Sequence, residues 1–143
     1  MNARKSAVIA AAKANGVRRV KSVEDNLIAA AGQLRGAVVP LWRRGDGSMD
    51  TPASQVYNKA EIYKLTGLVR ALQNQAQNLP PSYVDRNYIL DRINGMSAQI
   101  VKAIRRIGDT SRKEPDADSV AYRLKDIDEA CVSVIRRLKQ MRG

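Results

Sequence analysis

The sequence predicts an all-α protein: an antiparallel three-helix bundle over residues 51–143, with an additional basic N-terminal helical arm over residues 1–45. Three observations lead there. Apolar residues recur at helical spacing along most of the chain, and no stretch alternates with the period of two that a half-buried strand requires. The hydrophobic content of 44% is nearly all Ala, Val, Ile and Leu, with only 4% aromatics, and such thin side chains suit helix-on-helix packing. Pro80 and Pro81 interrupt the middle of the chain, and two helices joined by so short a turn lie antiparallel. A length of 143 residues suits one small domain.

Taken in order, residues 2–21 are rich in Ala, Arg and Lys and free of acids. They read as a helix that Gly16 ends or bends. The composition is that of a mitochondrial targeting segment, of a plain basic arm or of a nucleic-acid-binding arm. Ser22 opens a second helix, with Glu24 and Asp25 in its first turn, where negative charge is favourable. Its apolar stripe is Val23, Leu27, Ile28, Ala31 and Leu34, and Pro40 with the following WRRGDGS ends it. Trp42 reads as a cap on the core edge, with an interface anchor as the alternative.

Thr51 and Pro52 start the next helix as cap and first helical residue. It is expected to run unbroken to Leu79, with Val56, Ile62, Leu65, Leu68, Val69, Leu72, Ala76 and Leu79 inward. Gly67 within it is either tolerated or permits a close approach. Ser82 is the expected N-cap of the following helix, with Asp85 near its positive end. Ile89, Ile93, Ile100, Ile104 and Ile107 form the stripe of that helix, and Gly108 stops it. The last helix starts at Asp116. Its stripe is Val120, Leu124, Ile127, Cys131, Val134, Ile135, Leu138 and Met141, and Arg136, Arg137, Lys139 and Arg142 complement its negative end.

There are 25 Lys and Arg against 14 Asp and Glu, a formal net charge of +11. A field of that sign favours acidic partners: nucleic acid, anionic lipid or an acidic protein. Histidine is absent and Cys131 is the single cysteine, which excludes an intramolecular disulfide and a multi-cysteine zinc site. No glycine-rich phosphate loop occurs, and no apolar run is long enough to cross a bilayer. The expectation is a protein that is not an enzyme and binds no cofactor or metal directly. Asp126, Asp128 and Glu129 read as a solvated face, and Cys131 as a buried, inert thiol. Arg70, Arg86, Arg92, Lys102, Arg105 and Arg106 decorate the central hairpin.

Leu68-Val69-Arg70, Ala71-Leu72, Leu79-Pro80, Tyr88-Ile89 and Arg92-Ile93 occur in that order. This series resembles the mitochondrial LYR-motif (complex I LYR) family, with Val69 where the family has tyrosine and without the family's closing Phe-Arg. The resemblance covers the C-terminal half to two thirds of the chain. It implies a three-helix accessory subunit or assembly factor of a large mitochondrial complex, most often respiratory, on the matrix side of the inner membrane. It also implies docking of acyl carrier protein, whose acyl-phosphopantetheine would enter between the helices. Leu68, Val69, Leu72, Ile89 and Ile93 would then line the acyl groove, and Arg70, Arg86 and Arg92 would meet the carrier. A fainter likeness, over YNKAEIYKLTGL and LPPSYVDRNYILDRI, is to a small helical subunit of the cytochrome bc1 complex. The alternative from charge alone is a basic structural RNA- or DNA-binding protein, such as a mitochondrial ribosomal or phage component.

Overall fold

The computed structural model describes residues 2–140, with side chains from Val20 onward. The elements are α1 (Asn2–Gly45), α2 (Ala53–Val56), α3 (Lys59–Tyr63), α4 (Leu65–Ala76), α5 (Arg86–Arg106) and α6 (Ala117–Gln140), with no strand among the described residues. The side chains of Arg4, Lys5, Lys13, Arg18 and Arg19 in the N-terminal arm, and Met141 and Arg142 at the other end, lie outside the described residues.

The all-α bundle expected from the sequence is what the chain forms. Its closure involves one more helix than residues 51–143 supply. α1 packs chiefly along α6 and also along α4, α5 packs along α6 and α4, and the four helices close a ring in the order α1, α4, α5, α6. Leu27, Ala31, Leu34 and Val38 of α1 are fully buried in the same core as Leu72, Ile89, Ile93, Leu124 and Leu138. Each large aliphatic side chain withdrawn from water in this way contributes about 1.5–3 kcal/mol. α6 serves two neighbours, so its buried face is wider than the expected stripe and adds Ala117, Ala121, Asp128 and Ala130.

Five local expectations are corrected. α1 is continuous where the sequence suggested a break at Gly16 and a restart at Ser22. Glu24 is therefore mid-helix, and it is buried, its Oε2 accepting the Tyr83 hydroxyl at 2.6 Å. α1 also passes through Pro40. Pro40 and Gly36, whose carbonyl loses its helical donor to the proline, are both exposed, so the missing helical bond lies on the solvent side of α1 and not in the core.

The helix expected over residues 51–79 is three pieces. Tyr57 is extended (φ −123°, ψ 150°), which turns its ring into the core. Asn58 then recaps the chain: its Oδ1 accepts from Ala60 N at 2.7 Å, while Asn58 N donates to Glu61 Oε1 at 3.3 Å, a capping box. Ser82 is not an N-cap. The Pro-Pro segment continues through two further turns, and α5 begins at Arg86 after Asp85, whose carboxylate accepts from Arg137 Nη1 at 3.3 Å instead of capping.

Thr51 does not cap the next helix either: Pro52 stands at the N-cap of α2 with no side-chain hydrogen bond, and Ala53 is the first helical residue. The ends at Gly108 and Asp116 form as read. Gly108 takes φ +72° after α5, and Asp116 Oδ1 accepts from Ser119 N at 2.9 Å to open α6. Glu114 clasps the loop end of the bundle, accepting from Ser54 N, Ser54 Oγ and Gly108 N. These hydrogen bonds, that from the Ser54 hydroxyl foremost, hold its carboxyl below the usual range. No helix among the described residues is long and apolar enough to cross a membrane.

Candidate functional site

Tyr63, Thr66, Arg70 and Gln73 stand in one row along α3 and α4, because residues three and four apart share a helix face. Ser97, Ile100, Val101, Ile104 and Arg105 stand in the facing row of α5, and between the rows runs a groove of about 470 Å³. Its floor is apolar. Ile100 is buried and Ile104 half-buried, while Val101 and Tyr63 are 46% and 62% exposed. Gln73 bridges the rows at one end, its Nε2 reaching Asn94 Oδ1 and Ser97 Oγ, each at 3.3 Å.

Arg70 and Arg105 rim this groove. No carboxylate lines it, and neither arginine makes a hydrogen bond or ion pair among the described residues. That sets them apart from Arg35, Arg44 and Arg137, each of which is ion-paired within the bundle. The arrangement offers two unspent guanidinium forks beside an apolar trough, and such forks hold carboxylates in a planar, two-pronged contact.

The residues singled out in the sequence do not come together as one site. Val69, Leu72, Ile89 and Ile93 are fully buried core residues, and Leu68 packs partly buried against them. The seam between α4 and α5 is filled by these side chains. Arg70, Arg86 and Arg92 occupy three places. Arg70 lines the α4–α5 groove. Arg86 Nε donates to the Leu79 carbonyl at 2.9 Å, holding the end of α4 against the Pro-Pro turn. Arg92 faces α6, its Nη2 donating to Ser133 Oγ at 3.4 Å. Arg105 and Tyr63, which complete the groove, were legible only as members of exposed helix faces.

A second polar constellation ties α1 to α6. Asp128 is 8% exposed, which corrects the expectation of a solvated acidic face. Its Oδ1 accepts from Arg35 Nε at 2.6 Å and its Oδ2 from Trp42 Nε1 at 3.2 Å. Burial without both donors would strand a charge, so the pair explains why the carboxylate is tolerated. Asp126 is spent on Gln99, while Glu129 is exposed. Trp42 thus caps the core edge, with Lys125 Nζ 5.1 Å from its ring centroid. Cys131 is fully buried beside Asp128, and burial first, then the Asp128 charge, pushes its thiol up to about 12. A thiol so shifted carries almost no thiolate near neutral pH and is inert. Among the described residues no cluster of His, Cys, Asp and Glu is placed to hold a metal ion.

Comparison with protein-family models, with curated proteins and with solved structures finds no match to this chain.

Proposed function

We propose that this chain is a non-catalytic helical accessory protein that docks an acidic protein partner within a larger assembly. The observation that supports this most directly is the Arg70–Arg105 groove: two unpaired guanidinium groups, no opposing carboxylate and an apolar floor, on a chain of net charge +11. Long-range attraction speeds encounter with an acidic surface, and short-range forks then hold it. The LYR resemblance supports the same face, because it assigns Arg70 to contact with acyl carrier protein. The mitochondrial, respiratory setting rests on that resemblance.

In this reading the carrier docks on the outside. With Val69, Leu72, Ile89 and Ile93 sealed in the core, docking does not need a lipid chain threaded between the helices. The test is binding of the full chain to purified acyl carrier protein, unacylated and with a long acyl chain, at low and high salt. Both forms are expected to bind with similar affinity, to weaken with salt, and to lose affinity with Arg70→Gln. Binding of the acylated form alone would replace surface docking by insertion, and binding of neither would remove the carrier as partner.

A second reading is a structural nucleic-acid-binding protein, favoured by the acid-free first 21 residues beside the overall charge. It requires RNA affinity that falls steeply with salt and is lost when residues 1–21 are deleted. An affinity indifferent to salt would eliminate it.

A further inference from the structure

We infer that the end of the bundle where α1 begins and α6 finishes is a docking surface for the phosphate backbone of duplex DNA. This rests on the reading of the chain as a nucleic-acid-binding protein. It names the surface and the form of nucleic acid, and it is separate from the α4–α5 groove.

Charge is the first argument. Residues 1–23 and 130–143 hold ten of the 25 Lys and Arg and none of the 14 Asp and Glu. The chain between them holds 15 against 14, so nearly the whole excess lies in the two terminal stretches. The fold brings these stretches together, because α1 and α6 run antiparallel. Gly47 N donates to Asp118 Oδ1 at 2.7 Å near one end, Trp42 meets Asp128 further along, and Arg35 lies across from Val132 and Lys139. The start of α1 and the last turns of α6 therefore share one end of the bundle, and charges far apart in sequence add to one field there.

At that end the seam between α1 and α6 is an open groove of about 430 Å³, lined by Arg35, Val132, Ile135, Arg136, Lys139 and Gln140. No carboxylate lines it. Arg136 and Lys139 are exposed and make no hydrogen bond or ion pair among the described residues. Arg35 commits its Nε to Asp128, and its side chain is 43% exposed, which leaves the rest of the guanidinium to the groove.

Shape and composition choose among polyanions. Val23 is the first described α1 side chain packed on the core, and N-terminal to it the helix runs on for about 30 Å at 1.5 Å per residue. Duplex DNA carries about one charge per 1.7 Å, or about 18 over that length. An acidic protein offers patches of charge, not an unbroken row so long. A helix about 10–12 Å across enters the major groove of DNA, about 12 Å wide, but not the deep, narrow one of duplex RNA. Residues 1–23 and 130–143 contain no Phe, Trp or Tyr, so the bases of a single strand have nothing to stack on. Residues 1–23 contain no Leu either, which removes the large apolar anchors of a helix lying in a lipid interface.

The test is fluorescence anisotropy of the full chain with a labelled DNA duplex of about 20 base pairs, long enough to pass the helix. The same sequence as an RNA duplex and as a single DNA strand, polyglutamate, and vesicles of phosphatidylcholine with phosphatidylserine compete against it. The DNA duplex is expected to bind at least about tenfold more tightly than any of these, and to lose at least about 100-fold between about 50 and 200 mM salt. Arg136→Gln with Lys139→Gln should weaken it about tenfold, and make the slope of log affinity against log salt shallower by about 2. Arg18→Gln with Arg19→Gln should do the same. Arg112→Gln with Lys113→Gln removes as much charge from the exposed loop at the opposite end and should change binding less than about twofold.

Loss with the Arg18 and Arg19 pair but not with the Arg136 and Lys139 pair would overturn the two-part surface and leave the nucleic-acid reading on the N-terminal stretch alone. Equal loss with the loop pair would overturn it as well, because net charge and not this end would then be what binds. A single strand or an RNA duplex bound as tightly as the DNA duplex would overturn duplex DNA as the occupant, and tighter vesicles or polyglutamate would put lipid or acidic protein in its place. Binding of no nucleic acid would remove the surface and the nucleic-acid reading together, while docking at Arg70 and Arg105, intact in every variant, would be untouched.

Discussion

Tyr57 and Gly45 determine how the N-terminal helix meets the rest of the chain. The Tyr57 hydroxyl donates to the Leu41 carbonyl at 2.6 Å, and a Cβ on Gly45 would fall 2.5 Å from the Tyr57 hydroxyl oxygen. Gly45→Ala therefore forces the ring out of its seat and should destabilise the fold by about 1–3 kcal/mol, as overpacked cores do. Tyr57→Phe keeps the ring and loses the hydrogen bond, for about 1 kcal/mol. Urea midpoints of the two variants against the parent check that order. The same seat pushes the Tyr57 phenol up to about 12, chiefly by burial. Cys131 is raised from 9.0 to about 12 for the same reason. Both groups are neutral in the folded state at a pH where the unfolded chain ionises them. Their contribution is fully present below the unfolded values and is lost as pH climbs towards 12. Unfolding free energy should thus fall between about pH 9 and pH 12. Cys131→Ala, whatever its cavity costs at pH 7, should flatten that slope by up to about 1.4 kcal/mol per pH unit. An unchanged slope would mean that the thiol ionises in place.

The helices themselves were legible wherever the apolar stripe decides. Leu65, Val69, Leu72 and Ala76 on α4, and Ile89, Ile93 and Ile100 on α5, are buried as their spacing requires. What local pattern could not reveal are events set by distant residues. The break before α3 exists because Tyr57 is drawn to Leu41, sixteen residues earlier. The carboxylate of Asp128 is buried because Arg35 and Trp42 arrive from α1. Pro40 fails to end α1 because it faces water, which neither propensity nor the residue before it announces. The glycines inside helices split the same way. Gly95 lies within α5, exposed, with nothing within 4 Å of a prospective Cβ, so no packing reason holds it. Gly95→Ala should stabilise the protein by up to about 1 kcal/mol, read as a higher urea midpoint with an unchanged transition slope. A loss of stability would reveal a contact that the open space around Gly95 does not contain.

At the scale of the molecule, the candidate groove was half legible. Arg70 was singled out, but Arg105 and Tyr63 join it only once α5 lies antiparallel to α4 in one register. The same closure makes α1 structural. Residues 1–45, which composition marks as an arm, contribute Leu27, Ala31, Leu34 and Val38 to the core and Arg35 and Trp42 to the buried Asp128. Removing them uncovers the α6 face lined by Leu124, Ile127, Cys131 and Leu138. It also removes the hydrogen bonds of Asp128 with Arg35 and Trp42 and returns its carboxylate to water, so the deficit comes from lost apolar burial. Losing Leu27, Leu34 and Val38 at about 1.5–3 kcal/mol each is already comparable with the whole stability of a small domain, about 5–15 kcal/mol. A fragment of residues 51–143 should therefore lack a cooperative melt and should bind a hydrophobic dye, with helical circular dichroism partly retained. Residues 20–143 keep every described side chain of α1 and should melt cooperatively. A sharp transition in the shorter fragment would mean that α4, α5 and α6 close a core by themselves and that α1 is an appendage.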